Sequence, residues 1–294
     1  MTPGRIALLA GAIVAVSWSA PLVRLADGAP PLAIAFWRTA IASLVLAPPV
    51  LLRRRAEVRS LDRKDVAAML LAGGMLAAHF ATWIASISLT TVASSALLVS
   101  TTPVFVAIAG YLFAERAGRW GWIGIAIAMV GAALVASADL DRLETSGRGN
   151  LLALLGAIAG AGYLTVGRRI RIRRSVLTYA FLVYFSCAAV LLAAALLTRT
   201  VLVGFSLETW LVILAIAAGP QLFAHTSLNY LLEKLEATKI TVAILAEPLG
   251  ATLIAFVLFD ELPGPLAIPG AILVLIGIGL VLGRASRTKV GPGG

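Results

Sequence analysis

Four ionisable side chains, Arg38, His79, His225 and Glu247, stand inside long apolar runs of this 294-residue chain, and each is of a type that can do chemistry. The guanidinium of Arg38 offers a planar fork of donors that fits a carboxylate. Glu247 is a carboxylic acid able to carry a proton in a low-dielectric setting. His79 and His225 can hydrogen bond or stack. Two histidines with no cysteine or carboxylate beside them fall short of a metal-ligand set, so no metal is expected. No Asp or Glu within the helices is placed to orient either ring, which argues against a hydrolase triad. Neither an enzyme nor a bound cofactor is therefore expected. Each group also has a plainer use: Arg38 can snorkel to an interface, Glu247 can bond a neighbouring helix or Lys239, and each histidine can tie its helix to the next.

The elements that must hold these side chains follow from composition. With 60% hydrophobic and 13% charged residues and a mean hydropathy of +0.98, the chain is too apolar for a soluble domain. A hydrocarbon core about 30 Å thick takes roughly 20 apolar residues per helix. Ten such runs begin near Ile6, Pro31, Val66, Ala93, Trp120, Asn150, Val176, Trp210, Ile240 and Pro265. No gap between them would hold a soluble domain, and strand-type alternation is absent, which excludes a barrel. The first run is longer than the hydrophobic stretch of a cleaved signal, so it is read as a membrane helix. Cys187 is the only cysteine, so no internal disulfide forms.

The net charge of +10 does not point to nucleic acid, because Lys and Arg cluster beside helix ends, where the lipid bilayer's positive-inside rule puts them. With the N-terminus cytoplasmic, nineteen of the 24 fall in inside segments and four outside, and Arg38 lies within a helix. Both termini are expected in the cytoplasm of a multi-pass inner (plasma) membrane protein.

The two halves of the chain repeat. "GGMLAAHFATW" aligns with "GPQLFAHTSLN", which sets His79 on His225 and Trp83 on Asn229. Pro103 falls on Pro248, Glu115 on Glu261, and Gly124 and Gly131 on Gly270 and Gly277. Each half holds five helices, so the second must enter the bilayer upside down. The loop charges agree, since "RRRAEVRSLDRK" is basic in the first half where "RRIRIRR", at a non-equivalent loop, is basic in the second. The expected architecture is an all-α membrane protein of ten helices, with inverted five-helix repeats over 1–136 and 150–287.

Several residues gain meaning within these helices. Gln221, His225 and Leu228 or Asn229, spaced three and four apart, form a polar stripe. Pro248 donates no backbone hydrogen bond, so its helix can bend where a gate would. Trp18, Trp37, Trp83 and Tyr163 lie within helices, where they either pack or stack on a substrate. Trp120, Trp122 and Trp210 begin helices, where interfacial anchoring is expected. Gly124, Gly131, Gly270 and Gly277, with "GLVLG" at 279–283, suit close helix packing within the fold or between protomers, leaving monomer and homodimer both open.

Two inverted five-helix halves, each with a Pro in its fourth helix and a Glu closing it ("TTPVFVAIAGYLFAE", "AEPLGATLIAFVLFDE"), resemble the drug/metabolite transporter superfamily, and most closely its EamA-type branch. Trp18 and Tyr163 near the ends of helices 1 and 6, and the "FWR" of Phe36, Trp37 and Arg38, add to the resemblance. The Pro-to-Glu spacing is one residue longer in the second half, which leaves register in helix 4 uncertain by one position. The resemblance implies a secondary transporter of small metabolites, frequently an exporter of amino acids and in some members of aromatic ones, with a central cavity enclosed by helices other than 5 and 10. On that reading Trp18, Trp37, Arg38, His79, Trp83, Tyr163, Gln221, His225 and Asn229 are candidates to contact substrate, and Glu247, Pro103 and Pro248 to couple or gate. An importer or facilitator of the same fold is the alternative. A channel or structural subunit would not require the inverted duplication.

Overall fold

The computed structural model describes residues 2–90, 92–112, 117–136, 147–260 and 265–283. Glu115 and Glu261, which close the repeated motif, lie outside them. The described residues form helices and connecting turns with no strand. Ten membrane segments follow in order: α1 (Pro3–Leu25), α2 (Pro31–Arg53), α3 (Arg63–Ile87), α4 (Val92–Val99, resumed over Thr102–Leu112), α5 (Arg119–Ala136), α6 (Gly147–Arg171), α7 (Val176–Leu197), α8 (Leu207–Leu231), α9 (Ala237–Phe259) and α10 (Ala267–Gly283). A short helix, Arg55–Arg59, joins α2 to α3. Helix starts are marked by side-chain caps: Asp62 accepts from Asp65 N ahead of α3, Ser175 from Thr178 N ahead of α7, and Ser206 from Thr209 N ahead of α8.

Proline decides where the rods break, because it cannot donate to the carbonyl four residues back. α1 bends at Trp18, ahead of Pro21. α8 widens into a π-helical stretch over Ala217–His225 that contains Pro220. The fourth helix of each half is interrupted just before its proline, α4 between Val99 and Thr102, and α9 between Ile244 and Glu247. In α4 the carbonyl that Pro103 leaves free, that of Val99, accepts Thr102 Oγ1 at 2.7 Å. α9 is thus interrupted at Pro248, where the sequence anticipates a bend, and α4 is interrupted likewise ahead of Pro103.

Helix pairing reports the symmetry. α2 packs on α7, α4 on α9 and α5 on α10, each against its own counterpart, while α3 packs on α6 as α1 does on α8. A two-fold that exchanges the halves maps this set of contacts onto itself. α5 and α10 cross antiparallel on facing glycines: a Cβ on Gly124 would lie 2.9 Å from the Gly277 carbonyl, and one on Gly131 2.6 Å from that of Gly270. Counterpart helices running in opposite directions are what an inverted repeat requires. These glycines serve packing within the chain.

The loops joining α2 to α3 and α6 to α7 meet on one face, called the basic face below. There Asp65, whose side chain is fully buried, accepts from Arg173 Nη2 at 3.1 Å and Arg174 Nε at 2.7 Å. Glu57 accepts from Ser175 N and Ser175 Oγ, both at 2.6 Å, and from Thr178 Oγ1 at 2.9 Å. Partial burial acts to raise the Glu57 carboxyl, but these hydrogen bonds outweigh it and hold the group below its usual range.

Candidate functional site

A cavity of about 230 Å³ lies between the halves. α1, α3, α4 and Val135 of α5 line it from the first half, and α6, α8 and α9 from the second. α2 and α7 contribute no lining residue, contrary to the expectation that every helix but 5 and 10 would. The reason is their packing: they lie against each other, with Ala35, Thr39, Ala42, Val183, Tyr184 and Cys187 buried.

The cavity runs from the middle of the fold to the face opposite the basic one, where Arg24 and Phe259 flank its mouth with the guanidinium carbon 4.5 Å from the ring centroid. Toward the basic face its deepest lining residues are Leu228 and Thr241. Leu231, Leu232 and Ile240, all fully buried, follow on the basic-face side of these two residues. A second cavity of about 120 Å³ opens one helical turn further on, lined by Val106 and Gly110 of α4, Thr165, Arg168 and Arg169 of α6, and Ala237 and Thr238 of α9.

Seven of the twelve residues singled out in the sequence line the main cavity: His79, Trp83, Tyr163, His225, Pro103, Glu247 and Pro248. The aromatic ones form a ladder. The rings of His79 and Trp83 lie parallel at 6.1 Å, His79 is 5.2 Å from Phe80, Phe80 meets His225 edge-on at 5.4 Å, and His225 is 6.3 Å from Tyr163. His79 Nδ1 lies 2.8 Å from the Gly156 carbonyl. A carbonyl only accepts, so Nδ1 carries the proton, and in the neutral ring Nε2 is the acceptor. Gly160 makes room for this arrangement, since a Cβ there would stand 3.0 Å from Nδ1. The plainer use of His79, tying α3 to α6, and its place on the cavity wall therefore coexist. Thr102 and Glu247, which occupy equivalent positions in the two repeats, both line the cavity at the helix breaks, so the carboxyl is where the halves differ. Lys239 pairs with Glu236 at 3.8 Å.

The other five singled-out residues lie off the cavity wall. Trp37 donates from Nε1 to the Leu202 carbonyl at 2.6 Å and packs edge-on against Trp210 at 5.1 Å. Trp18 sits at the bend of α1, 38% exposed. Asn229 is fully buried, accepting from Tyr163 Oη at 2.7 Å and donating to Tyr184 Oη at 3.4 Å. Arg38 does not snorkel: it is fully buried and donates from Nε to Gln221 Oε1 at 3.0 Å and from Nη1 to Ser19 Oγ at 3.4 Å. Gln221, His225 and Asn229 therefore form no single cavity-facing stripe. Through the π-helical stretch of α8, Gln221 meets α2, His225 meets the cavity and Asn229 meets α6 and α7. Phe80 and Ser19 are cavity residues that patterning missed; adjacency to His79 and to the Pro21 bend were the available signals.

Beneath the cavity the basic face is strapped together. Arg171, almost fully buried, donates from Nε to the Asn229 carbonyl at 2.9 Å, from Nη2 to Glu233 at 2.9 Å, and from Nη1 to the Arg174 carbonyl. Arg168 donates to the Leu232 carbonyl at 2.6 Å. Lys234 and Arg171 hold the Glu233 carboxyl below its usual range. Asn229 thus touches both levels, its side chain bonded to Tyr163 of the cavity wall and its carbonyl to Arg171 of the strap.

Comparison with known proteins agrees with this architecture. The profile of the EamA-like transporter family matches twice, over residues 3–137 and 147–283. The pseudopaline exporter CntI of Pseudomonas aeruginosa, in strains PAO1 and UCBPP-PA14, is 26% identical over 265 residues, covering 88% of this chain and 87% of the relative. A crystal structure of another protein, 18% identical, superposes with a TM-score of 0.79 over 98% of this chain and all of that one, which shows a shared fold.

Proposed function

This chain belongs to the EamA-like transporter family and is a membrane-embedded secondary transporter; we propose that it exports amino acids, aromatic ones included, or related small metabolites by alternating access. The observation that carries the reading is the cavity itself: it lies at the middle of the fold, both inverted halves build it, and an aromatic ladder and one acid line it. The aromatic faces suit a flat or apolar cargo body. Export is supported by the CntI relative, which is named as an exporter. The loop charges support cytoplasmic termini, which puts the basic face inside the cell and the mouth at Arg24 and Phe259 outside. One chain encloses the cavity, so the reading needs no second copy.

The breaks at Pro103 and Pro248 supply hinges. Between the two cavities lies about one helical turn, Pro103 to Val106 on α4 and Thr238 to Thr241 on α9. Displacement of the segments Thr102–Leu112 and Ala237–Ile244 about these breaks would join the main cavity to the basic face. It would have to release the Arg168 and Arg171 contacts to the α8–α9 corner. Glu247, at the hinge and in the cavity, is the group placed to exchange a proton as the accessible side alternates.

The test is flux in proteoliposomes, with a panel of amino acids, purines and cationic drugs, run with and without a pH gradient. Saturable efflux of amino acids that the gradient accelerates, and that Glu247→Gln makes indifferent to it, is expected. Absence of saturable flux for every compound refutes the carrier reading. Flux that ignores the gradient in the unmodified protein removes the role of Glu247.

A further inference from the structure

Arg38 and Gln221 form a polar pair in the apolar interior between α2 and α8. Both side chains are fully buried. Arg38 spends Nε on Gln221 Oε1 and Nη1 on Ser19 Oγ, and its guanidinium carbon lies 4.0 Å from the centre of the Phe80 ring. That leaves Arg38 Nη2 and Gln221 Nε2 buried without a hydrogen-bond partner among the described residues. The Gln221 amide cannot be turned to cure this, because its oxygen already accepts from Arg38. No carboxylate among the described residues forms an ion pair with this guanidinium. Buried groups of this kind are costly to keep, and a fold that keeps them calls for a partner.

The chemistry of that partner is narrow. Both orphan atoms are donors, they belong to side chains already bonded to each other, and one carries a positive charge. The complement is an acceptor-only anion presenting at least two oxygens, which among the cargo proposed above is a carboxylate. Access is short as well. Ser19 and Phe80, the two residues that touch Arg38 from the other side, both line the main cavity. The Phe80 ring presents its negative face to the guanidinium and meets the His225 ring in a T-shaped contact. The Phe80 ring therefore touches both the cavity, which it lines, and the guanidinium, which lies over it.

We propose that Arg38, Gln221 and Ser19 form a carboxylate subsite beside the cavity, closed by the Phe80 ring until the cargo's carboxylate displaces it. The inference rests on the carrier reading for its purpose, and it narrows the cargo to molecules that join a carboxylate to a body small enough for the ladder of His79, Trp83 and Tyr163.

Benzoate and benzamide, nearly isosteric and differing in charge, test it on the purified full-length protein by thermal unfolding. Benzoate is expected to raise Tm saturably and benzamide, at equal concentration, to leave it unchanged. Gln221→Glu puts a carboxylate beside Arg38 from within the chain, so it should abolish the benzoate response while unfolding at or above the unmodified Tm. Gln221→Met, which keeps the size but removes both the Nε2 donor and the Oε1 acceptor of Arg38 Nε, should weaken benzoate about tenfold and serves if the glutamate variant does not fold. Phe80→Leu should tighten benzoate several-fold by removing the ring that must move. Equal responses to benzoate and benzamide, or an undiminished benzoate response in the Gln221 variants, overturn the subsite. The two readings fail separately: saturable flux with no preference for carboxylated cargo leaves the carrier standing and removes the subsite. A benzoate response that the Gln221 variants lose, without flux of any compound, does the reverse.

Discussion

Arg171→Met asks whether the strap on the basic face is a gate or only a fastening. The substitution keeps the length of the side chain and removes three hydrogen bonds, to the Asn229 carbonyl, the Arg174 carbonyl and the Glu233 carboxylate. Arg171 is 1% exposed while Glu233 is 31% exposed, so the ion pair itself is partly screened. Hydrogen bonds from a charged donor contribute about 1.5 to 3 kcal/mol each, and a buried guanidinium replaced by an apolar chain recovers part of its desolvation cost. A net loss of about 3 kcal/mol is a reasonable sum for this contact set, a little over a hundredfold in an equilibrium constant. If the strap holds the basic face shut, that factor should appear as a population shift away from the form open at Arg24 and Phe259. Cys187 is the only cysteine and is fully buried, so a cysteine introduced by Thr252→Cys on the cavity wall is a selective reporter. Its labelling by a membrane-impermeant maleimide, from the side of the cavity mouth, should slow at least tenfold in the Arg171→Met background. Unchanged labelling accompanied by a lower Tm would refute the gating role and leave the strap a purely structural one.

Three further outcomes follow from single contacts. Gly131→Ala should lower stability by about 1 to 3 kcal/mol through overpacking, because its Cβ would meet the Gly270 carbonyl and Val274 N at 2.6 Å; Gly74→Ala, with nothing within 4 Å, should be neutral or stabilising in the same Tm measurement. Tyr163→Phe removes the donor to Asn229 Oδ1 and should raise KM for efflux more than it lowers kcat, read in proteoliposomes. The Glu57 carboxyl is held low in the folded chain, so its contribution is present above the unfolded value and disappears as pH falls through the folded one. Tm should therefore drop below about pH 4, and Glu57→Gln should flatten that drop while lowering Tm at neutral pH.

Much of the fold is legible in the chain itself because a bilayer leaves few choices. With no water to satisfy its backbone, each long apolar run must become a helix, so ten segments, their inversion and the breaks ahead of Pro103 and Pro248 follow from composition, repeat register and the missing proline N–H. The repeat also marked His79 and His225, and both line the cavity. What composition could not decide is how each helix is turned about its axis. A run that is apolar all round has no preferred face, and its rotation is set by the neighbours it packs against. Arg38 is therefore buried against Gln221 instead of reaching an interface, and Trp37 caps the Leu202 carbonyl instead of lining the cavity. The π-helical stretch of α8 spreads Gln221, His225 and Asn229 over three different neighbours. The basic-face strap was visible only as a count of charges. Its pairings, Arg171 with Glu233 and Arg174 with Asp65, bring together residues from distant parts of the chain, and only the folded arrangement of α3, α6 and α8 brings them within reach.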